Sequence, residues 1–241
     1  MINTFYTSKD SSMFGVPDPN GNYGSSNRVS VAASFSGGSK QALARGIGNF
    51  DISSLSGLKI NSATLVLNCF TYTTEVALAW VTRCTRPTTW TELGVTWNKY
   101  DGTNAWTTAG GDVDNGSSTT PPRVSFYFPI FSSPFTVRVN ILNHVLDALN
   151  NRSGIVSLII RLDDESDSGN TRGSEWYKTD AVAPGWNIEI DTGPGATSPL
   201  GRSFHPGKGV SNIGRFYQSP RDKTVTAVVT AIQKVFAYIF G

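Results

Sequence analysis

The chain has 241 residues, of which 39% are hydrophobic and only 16% charged, with a formal net charge of +2. That length suits one large all-β domain or two small ones, and two cysteines are too few for a disulfide-stapled scaffold, so a packed core must carry the fold. The charge is uneven: residues 1–191 carry 14 Lys/Arg against 17 Asp/Glu, net −3, whereas residues 192–241 carry six basic residues against one acid, Asp222, net +5.

Taken in chain order, period-2 runs dominate the first 190 residues. Val29–Phe35 alternates. Ala63–Asn68 and Val76–Thr82 are strongly apolar, and a simple hairpin turning near Thr73–Glu75 would join them. In that hairpin Cys69 faces roughly Leu78 and Cys84 lies about 20 Å further along the strand, beyond disulfide reach. Two free, largely buried thiols are therefore expected. Val124–Phe128, Phe135–Asn140, Ile155–Leu162 and Trp186–Ile190 complete the predicted strands. Turn clusters separate them at Pro17–Gly24, Gly37–Ser39, Asp101–Asn104, Gly110–Pro122 and Asp163–Gly173. One helix interrupts the pattern at Ile141–Asn150, with Ile141, Val145, Leu146 and Leu149 on one stripe; His144 on it reads as a surface or capping histidine. Many short strands with this spacing predict an all-β fold, an antiparallel β-sandwich or jelly roll with one short helix. The long turn clusters should gather at the ends of the sandwich, where binding residues usually lie.

Residues 192–218, rich in Gly and Pro, read as a linker. Ser219 is then a helix N-cap, Pro220 the first helical residue and Asp222 an acid in the first turn. Within 219–241 the stripe Val225, Val228, Val229, Ile232, Val235, Phe236, Ile239 predicts an amphipathic helix about 30 Å long. Such a helix is marginal alone and needs a partner for its apolar face. It is therefore expected to dock or oligomerise, on copies of itself or on another component with an acidic surface. Nucleic acid is not expected, because the basic residues are not interleaved with aromatics and no nucleic-acid fold signature is present. No run approaches 18 apolar residues, so no membrane span is predicted.

The segment Trp90–Asp114 is more specific. Trp90-Thr91-Glu92, Val95-Thr96-Trp97-Asn98, Trp106 and Gly110-Gly111-Asp112 together resemble the signature stretch of the DNRLRE family, jelly-roll modules of carbohydrate-binding-like type. Flanking pieces follow in order: Asn22-Tyr23-Gly24-Ser25, Gly48–Ile52 with Ile60–Leu65, and Ser174-Glu175-Trp176 before Ala183–Trp186. The resemblance covers about residues 4–191. The stretch Ala44–Asn49 departs from the family pattern, and Asn115–Pro134 looks like an insertion. Trp90 and Trp97 are each large enough to bury about 150–250 Å² and are expected in the core. Glu92 is expected to bind backbone amides and hold the loop between them. Sugar stacking would fall on loop aromatics, and Tyr100, Trp106, Trp176 and Tyr177 are the candidate glycan-binding residues.

Catalysis has little material. The chain has two histidines, His144 and His205, and neither a G-x-S-x-G elbow nor an H-E-x-x-H motif. Gly207-Lys208 is followed by Gly209, not by the Ser/Thr of a phosphate loop. Asp163-Asp164-Glu165 with Asp167 reads as a solvated acidic loop, the one place offering oxygen ligands for a structural calcium; no other cofactor and no transition metal are expected. Met1–Phe5 lacks the pattern of a secretory leader. These features favour a non-catalytic structural or binding protein of a virus particle, such as a bacteriophage decoration, fibre or tail-appendage component, located in the virion. Its partners would be other virion proteins, copies of itself through the terminal helix, and cell-surface polysaccharide. The alternative is a free extracellular polysaccharide-binding module of a bacterial glycan-degrading system.

Overall fold

The strands follow from where alternation finds an apolar face to bury. In a computed structural model, which describes residues 1–36, 39–70, 76–114, 121, 123–130, 134–166, 172–178 and 185–193, they run in chain order as β1 (Ile2–Val16), β2 (Arg28–Ser36), β3 (Ser39–Asp51), β4 (Ile60–Cys69), β5 (Ala77–Cys84), β6 (Val113–Asp114), β7 (Val124–Phe128) and β8 (Phe135–Asn140). A helix, α1 (Leu142–Asn151), then precedes β9 (Ile155–Leu162), β10 (Arg172–Tyr177) and β11 (Trp186–Thr192). The linker beyond Gly193, the terminal helix and Asp167 lie outside the described residues. Among the described residues no helix is long and apolar enough to cross a membrane.

Every strand pairing is antiparallel. One layer runs β8–β4–β11, with Ile2–Tyr6 of β1 on β11 and with β10 joining β4 to β2. The other runs from β7 and β6 through β5 and β9 to β3, which then pairs with Thr7–Val16 of β1. β1 therefore passes from one layer to the other, with a register shift between Thr7 and Lys9. The result is the sandwich that the sequence predicts.

The main core lies between the layers. Ala77, Ala79 and Val81 of β5 and Val156, Leu158, Ile160 and Leu162 of β9 join Leu65, Leu67, Ile188, Ile190, Trp176 and Trp186. Trp176 and Trp186 are fully buried, with ring centroids 5.4 Å apart. Each fully buried aliphatic side chain here is worth about 1.5–3 kcal/mol.

Two expectations are corrected. β4 and β5 do not form a hairpin: β4 pairs with β11, β8 and β10, while β5 pairs with β9, β7 and β6. The cysteines are nevertheless both free and buried, and burial pushes the Cys69 thiol up to about 12. The helix buries His144, Val145, Asp147 and Ala148, and Leu146 of the expected stripe is exposed. Its inner face meets polar groups on β5, because Arg83 reaches Asp147 at 3.2 Å, so apolar spacing alone misplaces the buried side. Within the stretch that looks like an insertion, β7 forms at the expected Val124–Phe128 and extends the edge beyond β5.

Candidate functional site

Between β5 and β6 the chain leaves the sheet over Thr85–Asp112, the stretch that carries the signature motif. With no layer of its own, this excursion buries its aromatics on the outer face of the β5–β9–β3–β1 layer. Trp90, Val95 and Trp106 pack against Met13, Ile47, Cys84 and Ile159 to make a second core. Buried indole N–H groups need acceptors, and both are served: Trp90 Nε1 donates to Asn49 Oδ1 at 3.0 Å, and Trp106 Nε1 donates to the Thr96 carbonyl at 3.0 Å. Asn49 also accepts from Ser157 Oγ at 2.6 Å and donates to the Pro87 carbonyl.

A buried ion cluster fastens the excursion to both layers. Lys178 Nζ lies 3.3 Å from Asp10, pairs with Glu92 and donates to the Gly24 carbonyl. Glu92 thus holds the loop by facing a buried ammonium rather than by the expected contacts to backbone amides. Trp97 is only half-buried. It packs at the junction of the two cores, with the Arg45 guanidinium 4.7 Å from its ring centroid. Gly110 and Gly111 close the excursion at φ of +86° and +107°, the left-handed region that favours glycine. A Cβ on Gly111 would sit 2.5 Å from Ile159 Cδ1, so the backbone there lies directly on the second core.

The excursion covers only part of the sheet face. At its margin lies a cleft of about 670 Å³. Arg45 and Arg161 line it from the sheet; Thr85, Arg86, Thr107, Thr108 and Asp112 line it from the excursion. Two of the arginines are neutralised. Arg45 makes a two-pronged contact to Glu165 at 2.8 and 2.6 Å and donates to the Gly110 carbonyl at 2.9 Å. Arg86 Nε donates to Asp112 at 2.6 Å, and its guanidinium lies 4.5 Å from the Tyr100 ring centroid. Burial works against the Asp112 carboxylate, but hydrogen bonds from Arg86 and the Thr108 amide outweigh it and hold its pKa below the usual range.

Arg161 differs. Among the described residues it has no ion-pair partner, and its buried Nε makes no hydrogen bond. Burial, and then the like charge of Arg45, lower its pKa from the usual arginine value. Its cross-strand partner Trp80 is half-buried on the outer face of β5. The Trp80 indole donates to Asp163, and the Arg123 guanidinium covers its ring at 3.9 Å.

The four aromatic candidates are not brought together. None of the four lines the cleft; Tyr100 packs on Arg86, which does, and is half-buried between Arg86 and Trp106. Trp106 is only 5% exposed and Trp176 is fully buried on β10, so neither presents a face to a sugar; both rings are consumed by the cores, a correction to the expectation of open loop aromatics. Tyr177 stacks on Phe70 with centroids 4.4 Å apart, on the layer opposite the cleft. The docking stripe Val225–Ile239 lies outside the described residues. In the acidic loop Asp163 serves Trp80, Asp164 pairs with Arg172 and Glu165 with Arg45. No group of three or more metal-type side chains occurs among the described residues.

The residues that the sequence reading missed are Trp80, Arg45, Arg86 and Arg161. Two of them were legible. Ala77, Ala79 and Val81 point inward, so Trp80 must point outward; Ile160 and Leu162 do the same for Arg161.

Over residues 2–117 the chain matches the family model described as carbohydrate-binding module family 96. The matched stretch contains β1 to β6 and the whole excursion, with every member of the second core except Ile159. No curated protein matches the chain. The match supports the carbohydrate-binding-like part of the resemblance drawn from the sequence and does not carry the DNRLRE name; over residues 2–117 the chain is similar to a family of carbohydrate-binding modules, and Arg161 of the cleft lies outside the matched residues.

Proposed function

We propose that this chain binds carbohydrate without transforming it, and that its ligand lies in the cleft between the excursion and the open sheet face. The observation that carries this reading is Arg161. It is a partly desolvated guanidinium with no carboxylate of its own, next to two arginines already fixed in place by Glu165 and Asp112. A guanidinium offers paired donors that match a carboxylate, a sulfate or neighbouring hydroxyls. Glu165 and Asp163 oppose the like charge of Arg45 on this guanidinium without forming an ion pair with it among the described residues, which favours a glycan that carries negative groups. Threonine hydroxyls at 85, 107 and 108 add donors and acceptors along the same wall.

Affinity electrophoresis against polyuronates, sulfated galactans and neutral glucans, mannans and xylans tests this. Acidic polysaccharides are expected to retard the protein most. Arg161→Ala should weaken that binding roughly ten- to a hundredfold, the worth of one charge-assisted contact, without changing the melting temperature. If no polysaccharide retards the wild-type protein, or if Arg161→Ala binds as the wild type does, the reading is wrong.

We further propose that the tail tethers this module to a larger assembly, such as a virus particle. The support is in the sequence: residues 192–241 carry net +5 against the net −3 of residues 1–191, and the stripe Val225–Ile239 is apolar over seven positions.

A further inference from the structure

We infer that the edge strand β7 carries a second contact for the same glycan, with the exposed ring of Tyr127 as its stacking platform; this rests on the carbohydrate-binding reading above. Tyr127 is 60% exposed, although Phe126 and Phe128 on either side of it are buried in the main core. Alternation along β7 therefore turns Tyr127 to the outer face, the face that also bears the cleft. Its cross-strand partner is Leu78 of β5, and the Asp163 amide donates to the Leu78 carbonyl at 2.9 Å. Tyr127, Leu78 and Asp163 thus form one row across three chain segments. A recess of about 210 Å³ opens beside this row, with Asp163, Asp164 and Arg172 in its wall. An aromatic ring flanked by groups that accept and donate hydrogen bonds suits the apolar face and hydroxyl rim of a pyranose.

The position of this row relative to the cleft sets the ligand's size. Trp80 pairs with Ser125 of β7 and with Arg161 of β9, so Arg161 sits two strands over and two residues along from Tyr127. Strand geometry puts that separation at roughly 12 Å. A single sugar does not reach from one to the other; a chain of several units does. The face is thus built for the interior of a polysaccharide rather than for a terminal residue.

Titration calorimetry on the full chain tests this with a disaccharide and an octasaccharide cut from a polyuronate. The wild type should bind the octasaccharide more tightly than the disaccharide. Tyr127→Ala should weaken octasaccharide binding roughly three- to tenfold, the worth of one ring contact, and leave disaccharide binding unchanged. Tyr127→Phe should retain wild-type affinity for both, and Arg161→Ala should weaken both. If Tyr127→Ala leaves the octasaccharide affinity intact, or instead changes the sedimentation of the protein alone, Tyr127 is not a glycan contact and the cleft reading stands without it. If the wild type binds neither oligomer, the carbohydrate reading falls as well.

Discussion

His144 is the residue whose environment departs furthest from what its sequence context suggests. Its neighbours on α1 made it look like a cap, yet it is 3% exposed and neither ring nitrogen has a hydrogen-bond partner. Burial, helped by the positive charges of Arg83 and Arg152 and opposed by Asp147, lowers its pKa to about 4. The unfolded chain takes up a proton near pH 6.5, while the folded chain resists it until about pH 4. The unfolded state therefore binds more protons in that window, and stability must fall as pH drops through it. The loss should reach about 3 kcal/mol at its limit. Urea unfolding at pH 7 and pH 4.5 should show that loss in the wild type, and His144→Gln should reduce it. An equal pH dependence in the variant would show that other groups carry it. A period count of apolar residues treats any histidine as outward, which is why this one was missed.

At the scale of elements, strands with an unbroken apolar character were legible, including Ile155–Leu162, which buries both faces. Val124–Phe128, Phe135–Asn140 and Ile155–Leu162 were placed at their observed ends. β3 escaped because Arg45, Gly46, Gly48 and Asn49 break the apolar character of its buried run Ala44–Phe50. β1 escaped because it changes layers and so changes its inward face partway along. The candidate site was misread for a related reason: loop aromatics looked free to bind, but an excursion without a layer of its own spends its tryptophans on the sheet below. Lys178 shows how tightly the two are joined. Its ammonium faces Asp10, 3% exposed at the side chain, and the less buried Glu92. Lys178→Met would leave the Asp10 carboxylate its hydrogen bonds from Thr7 and Trp186 but no ammonium facing it, and breaking one partner of a buried pair costs about 3–5 kcal/mol. Chemical denaturation should report a loss of that size. A change below about 1 kcal/mol would mean that water relieves the carboxylates and that the second core holds the excursion without the ion cluster.

For the whole molecule, net charge and local charge point in opposite directions. The body that carries the arginine cleft is acidic overall and the tail is basic, so attraction of an acidic glycan to the cleft depends on the local Arg161 guanidinium and not on the average field. The tail is then free to serve a different contact. β11 pairs with both β1 and β4, and the Thr192 amide donates to the Met1 carbonyl at 2.8 Å, so the two ends of residues 1–192 are tied together. Residues 1–197 form one compact unit and residues 198–241 another. Removing residues 198–241 should therefore leave the melting temperature and the octasaccharide affinity unchanged. Sedimentation velocity should show larger species in the full chain and only monomer in the truncated one, because the seven-residue stripe needs a partner to cover it. A truncated protein that melts several degrees lower would show that the stripe covers the sandwich itself. One that still forms the larger species would move the association surface to the sandwich, where the unpaired edge of β7, with Tyr127 and Ile130 exposed beside it, is the place to look.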